Sequence, residues 1–243
     1  AGGVEVGGGE RVLELRGHCQ RVTALAWMER KPHAETSSCD NSRWLVSAGV
    51  DRTVRLWDVS DEALVSEPLR PTSTALEHTR QVLCLAAAGR LLVSGAADCS
   101  LKAWALGSSL RCFRQIHDAG KVCAVAIQPE PTGGYLLASA GSSTGAIALW
   151  DLRQPACVAH LRDNQSGVLA LALSGSLLFS AGGTGNQEKA VRVWDVRMGR
   201  LAQRLAGHNG KVLALAALDG STLCSSDGAG KVRLWRLRDY ALG

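Results

Sequence analysis

The sequence predicts an all-β propeller of five four-stranded blades. Three short strands recur in a fixed order: an apolar strand, a strand with a central serine, and a strand that ends near a tryptophan. The five tryptophans of this pattern lie 41 to 47 residues apart, at Trp57, Trp104, Trp150, Trp194 and Trp235. This is the period of a four-stranded blade, which cannot bury both of its faces unless it stacks against other blades.

The first strand of each repeat is apolar on both faces, as is typical of a strand packed between neighbouring sheets. It reads VTALAW at 22–27, VLCLAA at 82–87, VCAVAI at 122–127, VLALAL at 168–173 and VLALAA at 212–217. The second strand begins at Trp44, Leu91, Leu136, Leu177 and Leu223, and the third at Thr53, Ser100, Ala146, Ala190 and Lys231. The order of these strands predicts five consecutive blades.

The two ends of the chain predict how the ring closes. The fifth repeat ends soon after its third strand, whereas residues 11–16 (RVLELR) precede the first repeat as an outer strand would. We expect this N-terminal strand to pair into the last blade, which removes an open edge. The alternative is a larger ring with blades that precede Ala1. Residues 1–10 are rich in glycine and predict a flexible linker, so that 11–243 form a single propeller domain.

Composition argues against several classes of function. The net charge of +5 is mild and no run of four Lys or Arg occurs, so nucleic-acid binding is not indicated. The eight cysteines include no CxxC pair, which predicts reduced thiols in a cytoplasmic or nuclear protein. No apolar stretch reaches the roughly 18–20 residues of a membrane span. No phosphate loop, metal motif or paired-carboxylate motif is visible, so we expect no enzyme, cofactor or metal.

The motifs GH at 17–18 and 207–208 and WD at 57–58, 150–151 and 194–195 resemble those of the WD40-repeat family. In that family a His, a Ser or Thr, an Asp and the blade Trp form a hydrogen-bonded tetrad, in which each buried polar group finds a partner. Two blades match completely: His18, Ser47, Asp51 and Trp57, and His78, Ser94, Asp98 and Trp104. An Asp, His and Ser set that recurs with the repeat argues for a structural role, because a hydrolase triad occurs once.

The other three blades depart from this tetrad. The third keeps His117, Ser139 and Trp150 but has Thr144 at the Asp position. The fourth has Asn164 at the His position and Glu188 at the Asp position. The fifth keeps His208, Ser225 and Trp235 but has Ala229 at the Asp position, with Asp227 two residues early. We therefore expect blades one and two to be the most stable.

The resemblance places the loop before the first strand and the turn after the second strand on one rim, called the top. The side chains expected there are mostly basic or polar: Arg21, Arg80, Gln81, Lys121, Gln187 and Lys211. Basic groups around a channel mouth focus a positive potential. We predict a non-catalytic protein-interaction scaffold, a monomeric domain within a larger complex, that docks acidic or phosphorylated peptides on this rim. The alternative is that these charges only keep the protein soluble.

Two further patterns leave the function open. WDLR at 150–153 and WDVR at 194–197 match the WDxR pattern of propellers recruited to the DNA-damage-binding adaptor of cullin-RING ubiquitin ligases. By this resemblance Arg153 and Arg197 would contact the adaptor, and the protein would be a substrate receptor. A related alternative is a recruiting domain of F-box type outside this sequence.

Blade one contains two insertions, at 28–43 and at about 59–73, which we expect on the rim opposite the top. Such long loops are either functional or disordered.

Overall fold

The computed structural model describes residues 5–6, 10–11, 14–29, 43–60, 69–107, 109–131, 133–141, 145–154, 156–162, 167–182, 189–218 and 220–237. These residues form strands joined by turns. No helix in this part of the chain has the length and apolarity that crossing a membrane requires.

Each repeat of the sequence forms one antiparallel sheet, and two short strands precede the first, β1 (Glu5–Val6) and β2 (Glu10–Arg11). Blade one contains β3 (Val22–Glu29), β4 (Arg43–Gly49), β5 (Val54–Asp58) and β6 (Ser73–Ala75). Blade two contains β7 (Val82–Ala88), β8 (Leu91–Ala96), β9 (Ser100–Leu106) and β10 (Leu110–His117). Blade three contains β11 (Val122–Pro129), β12 (Tyr135–Gly141), β13 (Ala146–Asp151) and β14 (Cys157–Arg162). Blade four contains β15 (Val168–Ser174), β16 (Leu177–Gly182), β17 (Val191–Asp195) and β18 (Arg200–Leu205), and blade five contains β19 (Val212–Ala217), β20 (Thr222–Asp227) and β21 (Val232–Arg236).

The predicted all-β propeller with five blades is confirmed. The inner strands of consecutive blades contact one another, from β3 to β7, β11, β15 and β19. The tryptophan of each later blade packs against the blade before it: Trp104 lies with Val46 and Leu56, and Trp194 lies with Ile147 and other residues of blade three. Because a fully buried large side chain stabilises by roughly 1.5–3 kcal/mol, the tryptophan period marks the interfaces that hold the blades together.

In the described part of the chain the N-terminal segment pairs with itself and with blade one, and the predicted pairing with the last blade is not seen there. Strand β1 pairs with β2, and β21 pairs only with β20 among the described strands. Leu15 forms a parallel bridge to Leu69, and the Arg16 amide donates to the Leu69 carbonyl at 3.2 Å. These contacts hold the residues before Gly17 beside blade one.

Blades one and five each expose an apolar face. On β3 the exposed fractions of Leu25 and Trp27 are 62% and 52%, and on β21 those of Val232 and Leu234 are 71% and 68%. Leu56 occupies the same repeat position as Leu234 but is fully buried, because blade two covers it. Strands β3 and β19 are not packed together as the consecutive inner strands are. Among the described residues, the fifth blade and the first therefore do not pack against each other as consecutive blades do.

Candidate interaction surface

A hydrogen-bonded tetrad connects the top of blade one to its sheet. His18 Nδ1 lies 2.8 Å from Asp51 Oδ2, and His18 Nε2 lies 2.6 Å from Ser47 Oγ. The Trp57 indole donates to the same serine oxygen at 2.8 Å. The loop before β3, the turn after β4 and strand β5 are thereby joined through buried side chains, which makes the upper edge of this blade rigid.

The corresponding tetrad of blade two has the same geometry. His78 Nδ1 lies 3.1 Å from Asp98 Oδ2 and His78 Nε2 lies 2.7 Å from Ser94 Oγ, which also accepts from the Trp104 indole at 2.9 Å. His78 and Ser94 are buried. The two complete tetrads that the family pattern predicts, in blades one and two, are therefore both formed.

The Asp98 carboxylate is stabilised in its charged form. Burial acts to raise its pKa, but hydrogen bonds from the Ser100 hydroxyl, the Thr79 amide and His78 together outweigh burial and hold the pKa at about 2. Burial also lowers the pKa of His78, against the opposing effect of the Asp98 charge. The pair therefore favours a neutral imidazole beside a charged carboxylate.

Blade three uses a different residue from the one predicted. Asp118, and not His117, reaches the serine: Ser139 Oγ donates to Asp118 Oδ2 at 2.7 Å. Trp150 donates to Ser139 at 2.9 Å as in the other blades. His117 is exposed and contacts Gln115 instead. Asp118 lies four residues before Val122, as His18 and His78 lie four residues before the first valine of their blades, so it occupies the position that histidine takes there. Thr144 lies outside the described residues.

Blade five contains a complete tetrad, in contrast to the prediction. Asp227 Oδ2 lies 2.8 Å from His208 Nδ1, and His208 Nε2 lies 2.6 Å from Ser225 Oγ. Trp235 donates to Ser225 at 2.7 Å. Asp227 thus replaces the missing acid at Ala229. In blade four Trp194 donates to Ser180 at 2.8 Å, whereas Asn164 and Glu188 lie outside the described residues.

Backbone hydrogen bonds place the loop before the first strand and the turn after the second strand on one rim of each of three blades. The carbonyls of Arg21, Gln81 and Lys211 accept from the amides that begin the facing turn, at 2.9, 3.0 and 2.9 Å. At Gly49 an added Cβ would lie 2.5 Å from the Arg21 carbonyl oxygen, so this approach requires glycine. We call this edge the top rim.

Exposed cations surround the top rim. Four of them are predicted residues, and the turns add three more: Arg21, Arg80, Lys121, Lys211, and Arg52, Lys189, Lys231. We call these seven residues the basic rim; within the described chain none of their side chains forms an ion pair. Gln81 is half-buried, and Gln187 lies outside the described residues. Arg52 and Lys231 could have been predicted, because both lie in the turn that the sequence assigns to this rim.

The aspartate side chains of the top rim are, by contrast, buried or hydrogen-bonded. The side chains of Asp51, Asp98 and Asp227 are 2%, 9% and 0% exposed, and each lies beside a tetrad histidine. Asp118 accepts from Ser139 and from the Ala119 amide. Because the carboxylates are engaged and the cations are free, the described residues on the outer surface of this rim carry a net positive charge.

Comparison with known proteins agrees with this geometry. A family model described as "WD domain, G-beta repeat" matches residues 9–58 and 70–105. The Chlamydomonas reinhardtii "Ribosome biogenesis protein WDR12 homolog" is 32% identical over 67% of this chain and 33% of its own length. The Mus musculus "WD repeat-containing protein 41" is 30% identical over 68% of this chain and 34% of its own length.

The chain belongs to the WD40-repeat family. The Dictyostelium discoideum "Anaphase-promoting complex subunit cdc20" is a further relative, 27% identical over 68% of the chain and 39% of its own length. The chain thus spans about a third of the length of the curated relatives it matches. These WD40 relatives support a protein-interaction scaffold in general.

The opposite rim of this WD40 domain contains a cleft of about 710 Å³ between blades three and four, which we call the lower cleft. Arg153 and Arg197 both line it. Arg153 is held by Asp151, with Nη2 2.9 Å from Oδ2, whereas Arg197 is exposed and has no ion pair in the described chain. Arg114 of blade two donates to the carbonyls of Leu152 and Gln154, and these hydrogen bonds fix the position of the turn that contains Arg153. Most of residues 28–43 and 59–73 lie outside the described chain.

Proposed function

We propose that this WD40 domain is a non-catalytic scaffold that docks acidic or phosphorylated peptides on its basic rim. The observation that carries the proposal is the asymmetry of charge on the top rim. Seven cations are exposed without an ion pair in the described chain, while the four described acids are engaged by hydrogen bonds. Arginine in particular can make two parallel hydrogen bonds to a carboxylate or phosphate. A monomeric domain within a larger cytoplasmic or nuclear complex fits this role.

The test uses three labelled peptides that differ only in charge. One alternates glutamate with glycine, one replaces glutamate with phosphoserine, and one replaces it with glutamine. Fluorescence anisotropy would measure their affinities at low and high salt, about 50 mM and about 300 mM, because exposed charge pairs are screened over about 10 Å at 0.1 M. We expect the two charged peptides to bind at least tenfold more tightly than the glutamine peptide at low salt, and to lose this advantage at high salt.

Charge-reversal variants localise the effect. Lys121→Glu and Arg80→Glu change exposed residues of the basic rim, and each should weaken binding of the phosphoserine peptide. Arg200→Glu is the matched control, because Arg200 is exposed at the start of β18, on the opposite rim. Equal affinities of the charged and neutral peptides, or equal losses in all three variants, would refute docking on the basic rim.

A second candidate is a substrate receptor that binds the DNA-damage-binding adaptor of cullin-RING ligases. Its support is that both arginines of the WDxR motifs line the same lower cleft. Since Arg197 is free and Arg153 is neutralised by Asp151, Arg197→Ala should weaken capture of the purified adaptor more than Arg153→Ala does. Arg200→Ala, close to Arg197 in sequence, is the control. An adaptor that is not retained by the unaltered domain rules this function out.

A further inference from the structure

The residue that faces the tetrad serine on the third strand of a blade is basic in four blades. The pairs are Ser47 with Arg55, Ser94 with Lys102, Ser180 with Arg192, and Ser225 with Arg233. In blade three the same register places Ala148 opposite Ser139. The third blade therefore lacks a side chain that the repeat otherwise supplies.

In the other blades this cation lies beside the tetrad and is largely buried. The Lys102 side chain is 7% exposed, and its Nζ lies 2.9 Å from Gln115 Oε1 and 3.5 Å from Glu77 Oε2. The Arg55 side chain is 14% exposed, and its Nη2 lies 3.7 Å from Asp51 Oδ2. Blades one and two thus each have a slot next to the tetrad that holds a cationic group.

Without that side chain, the slot of blade three is a cavity of about 250 Å³. It is lined by Asp118, Ala119, Gly145, Ala148, His160 and Arg162, among others. His160 pairs with Ala148 in register as Gln115 pairs with Lys102, so an imidazole replaces the amide at the side of the slot. The cavity is several times larger than the volume of about 30 Å³ that a water molecule takes up in the liquid, and so has room for a guanidinium group.

Asp118 supplies an anionic wall to this cavity. One of its oxygens accepts from Ser139 at 2.7 Å and the other from the Ala119 amide at 2.6 Å, which fixes the carboxylate in place. Each carboxylate oxygen can accept a further hydrogen bond. Within the described chain Asp118 has no cationic partner, whereas Asp51 has Arg55 nearby. The slot therefore contains a positioned negative charge and an unfilled volume beside it.

We propose that this cavity binds the guanidinium group of an arginine side chain supplied by a partner protein. Arginine fits better than lysine because its planar fork can donate two hydrogen bonds to one carboxylate. Arg162, which is exposed on β14 at this cavity, has the same charge as the ligand and opposes its binding. This site differs from the neighbouring basic rim because it selects the opposite charge.

The probe is N-acetyl-arginine amide, and its neutral counterpart is N-acetyl-citrulline amide, which has nearly the same shape. Titration of the domain at low salt, followed by the amide NMR signals of Ala119 and Gly145, measures both affinities. We expect the arginine probe to shift these signals and to bind at least tenfold more tightly than the citrulline probe. Equal binding of the two probes, or no shift with either, would overturn the proposal.

Variants at Ala148 keep the test independent of the stability of the tetrad. Ala148→Arg restores the arrangement of the other blades and should abolish binding of the arginine probe, whereas Ala148→Leu fills the same space without charge and should abolish it too. Arg162→Gln should tighten binding severalfold by removing a like charge. Lys102→Ala empties the slot of blade two, beside Glu77, and should create a second site. Undiminished binding by Ala148→Arg would show that the probe binds elsewhere.

Discussion

His208 Nδ1 lies 2.8 Å from the carboxylate of Asp227, although Asp227 pairs with Val212 at the strand position that Gly49 takes in blade one. The turn after β20 has the same number of residues as its counterpart after β4, and it closes by a hydrogen bond of 2.9 Å from the Asp227 amide to the Lys231 carbonyl. The acid therefore reaches the histidine from the end of the strand. A tetrad therefore forms wherever a carboxylate lies within hydrogen-bond distance of the histidine, whether the acid belongs to the turn or to the end of the second strand.

Removing the tetrad acids should destabilise blades one and five alike. Asp51→Ala leaves His18 and Thr53 without their acceptor, which should lower the free energy of unfolding by about 1–3 kcal/mol. Asp227→Ala should lower the melting temperature at least as much. Thermal denaturation measures both, with Asp58→Ala as the control because Asp58 accepts one backbone hydrogen bond at the opposite rim. A wild-type melting temperature for Asp227→Ala would contradict a complete fifth tetrad.

The stability of the domain should fall with pH through His78. Burial lowers the folded-state pKa of His78 below its ordinary 6.5, so the unfolded chain binds this proton at a higher pH than the folded chain does. The free energy of unfolding should therefore decrease as the pH falls below about 6.5. Asp98 contributes in a lower pH range: the stabilisation that it provides is present above pH 3.8 and is lost as the pH approaches about 2. Urea unfolding between pH 8 and pH 5 should give a smaller pH dependence for His78→Gln than for the wild type, and identical slopes would exclude this role.

The blades could be predicted from the sequence because each depends on local spacing and on a tryptophan that packs against its neighbour. The acids of blades three and five differ in this respect. Asp118 lies four residues before Val122, as His18 lies four residues before Val22, so the spacing to the first strand locates it better than the residue type does. Asp227 ends β20, at a strand position where blade one has a glycine, and no spacing in the sequence indicates that its carboxylate reaches the histidine. The pairing of the described N-terminal residues has no local signal either, because strand partners far apart in sequence are set by the contacts of the folded chain. The bridge from Leu15 to Leu69 is such a case.

The exposed face of blade five predicts unequal effects at one repeat position. Leu56 and Leu234 both lie one residue before the blade tryptophan, but Leu56 is fully buried and Leu234 is 68% exposed. Leu56→Ala should therefore lower the free energy of unfolding by about 2–5 kcal/mol, as for a buried leucine. Leu234→Ala should change it by less than about 0.5 kcal/mol, as for an exposed site. Equal losses in chemical denaturation would mean that the face of blade five is covered in solution.

Gly49 connects the stability of blade one to the shape of its basic rim. A Cβ at Gly49 would lie 2.5 Å from the Arg21 carbonyl oxygen, and a backbone atom cannot move aside as a flexible side chain can. Gly49→Ala should lower the free energy of unfolding by about 1–3 kcal/mol, as overpacking does. It should also displace Arg21 and so weaken binding of the phosphoserine peptide. Gly220→Ala is the control, because an added Cβ there has no atom within 4 Å. If Gly49→Ala is as stable as the control and binds the peptide unchanged, the contact does not position Arg21.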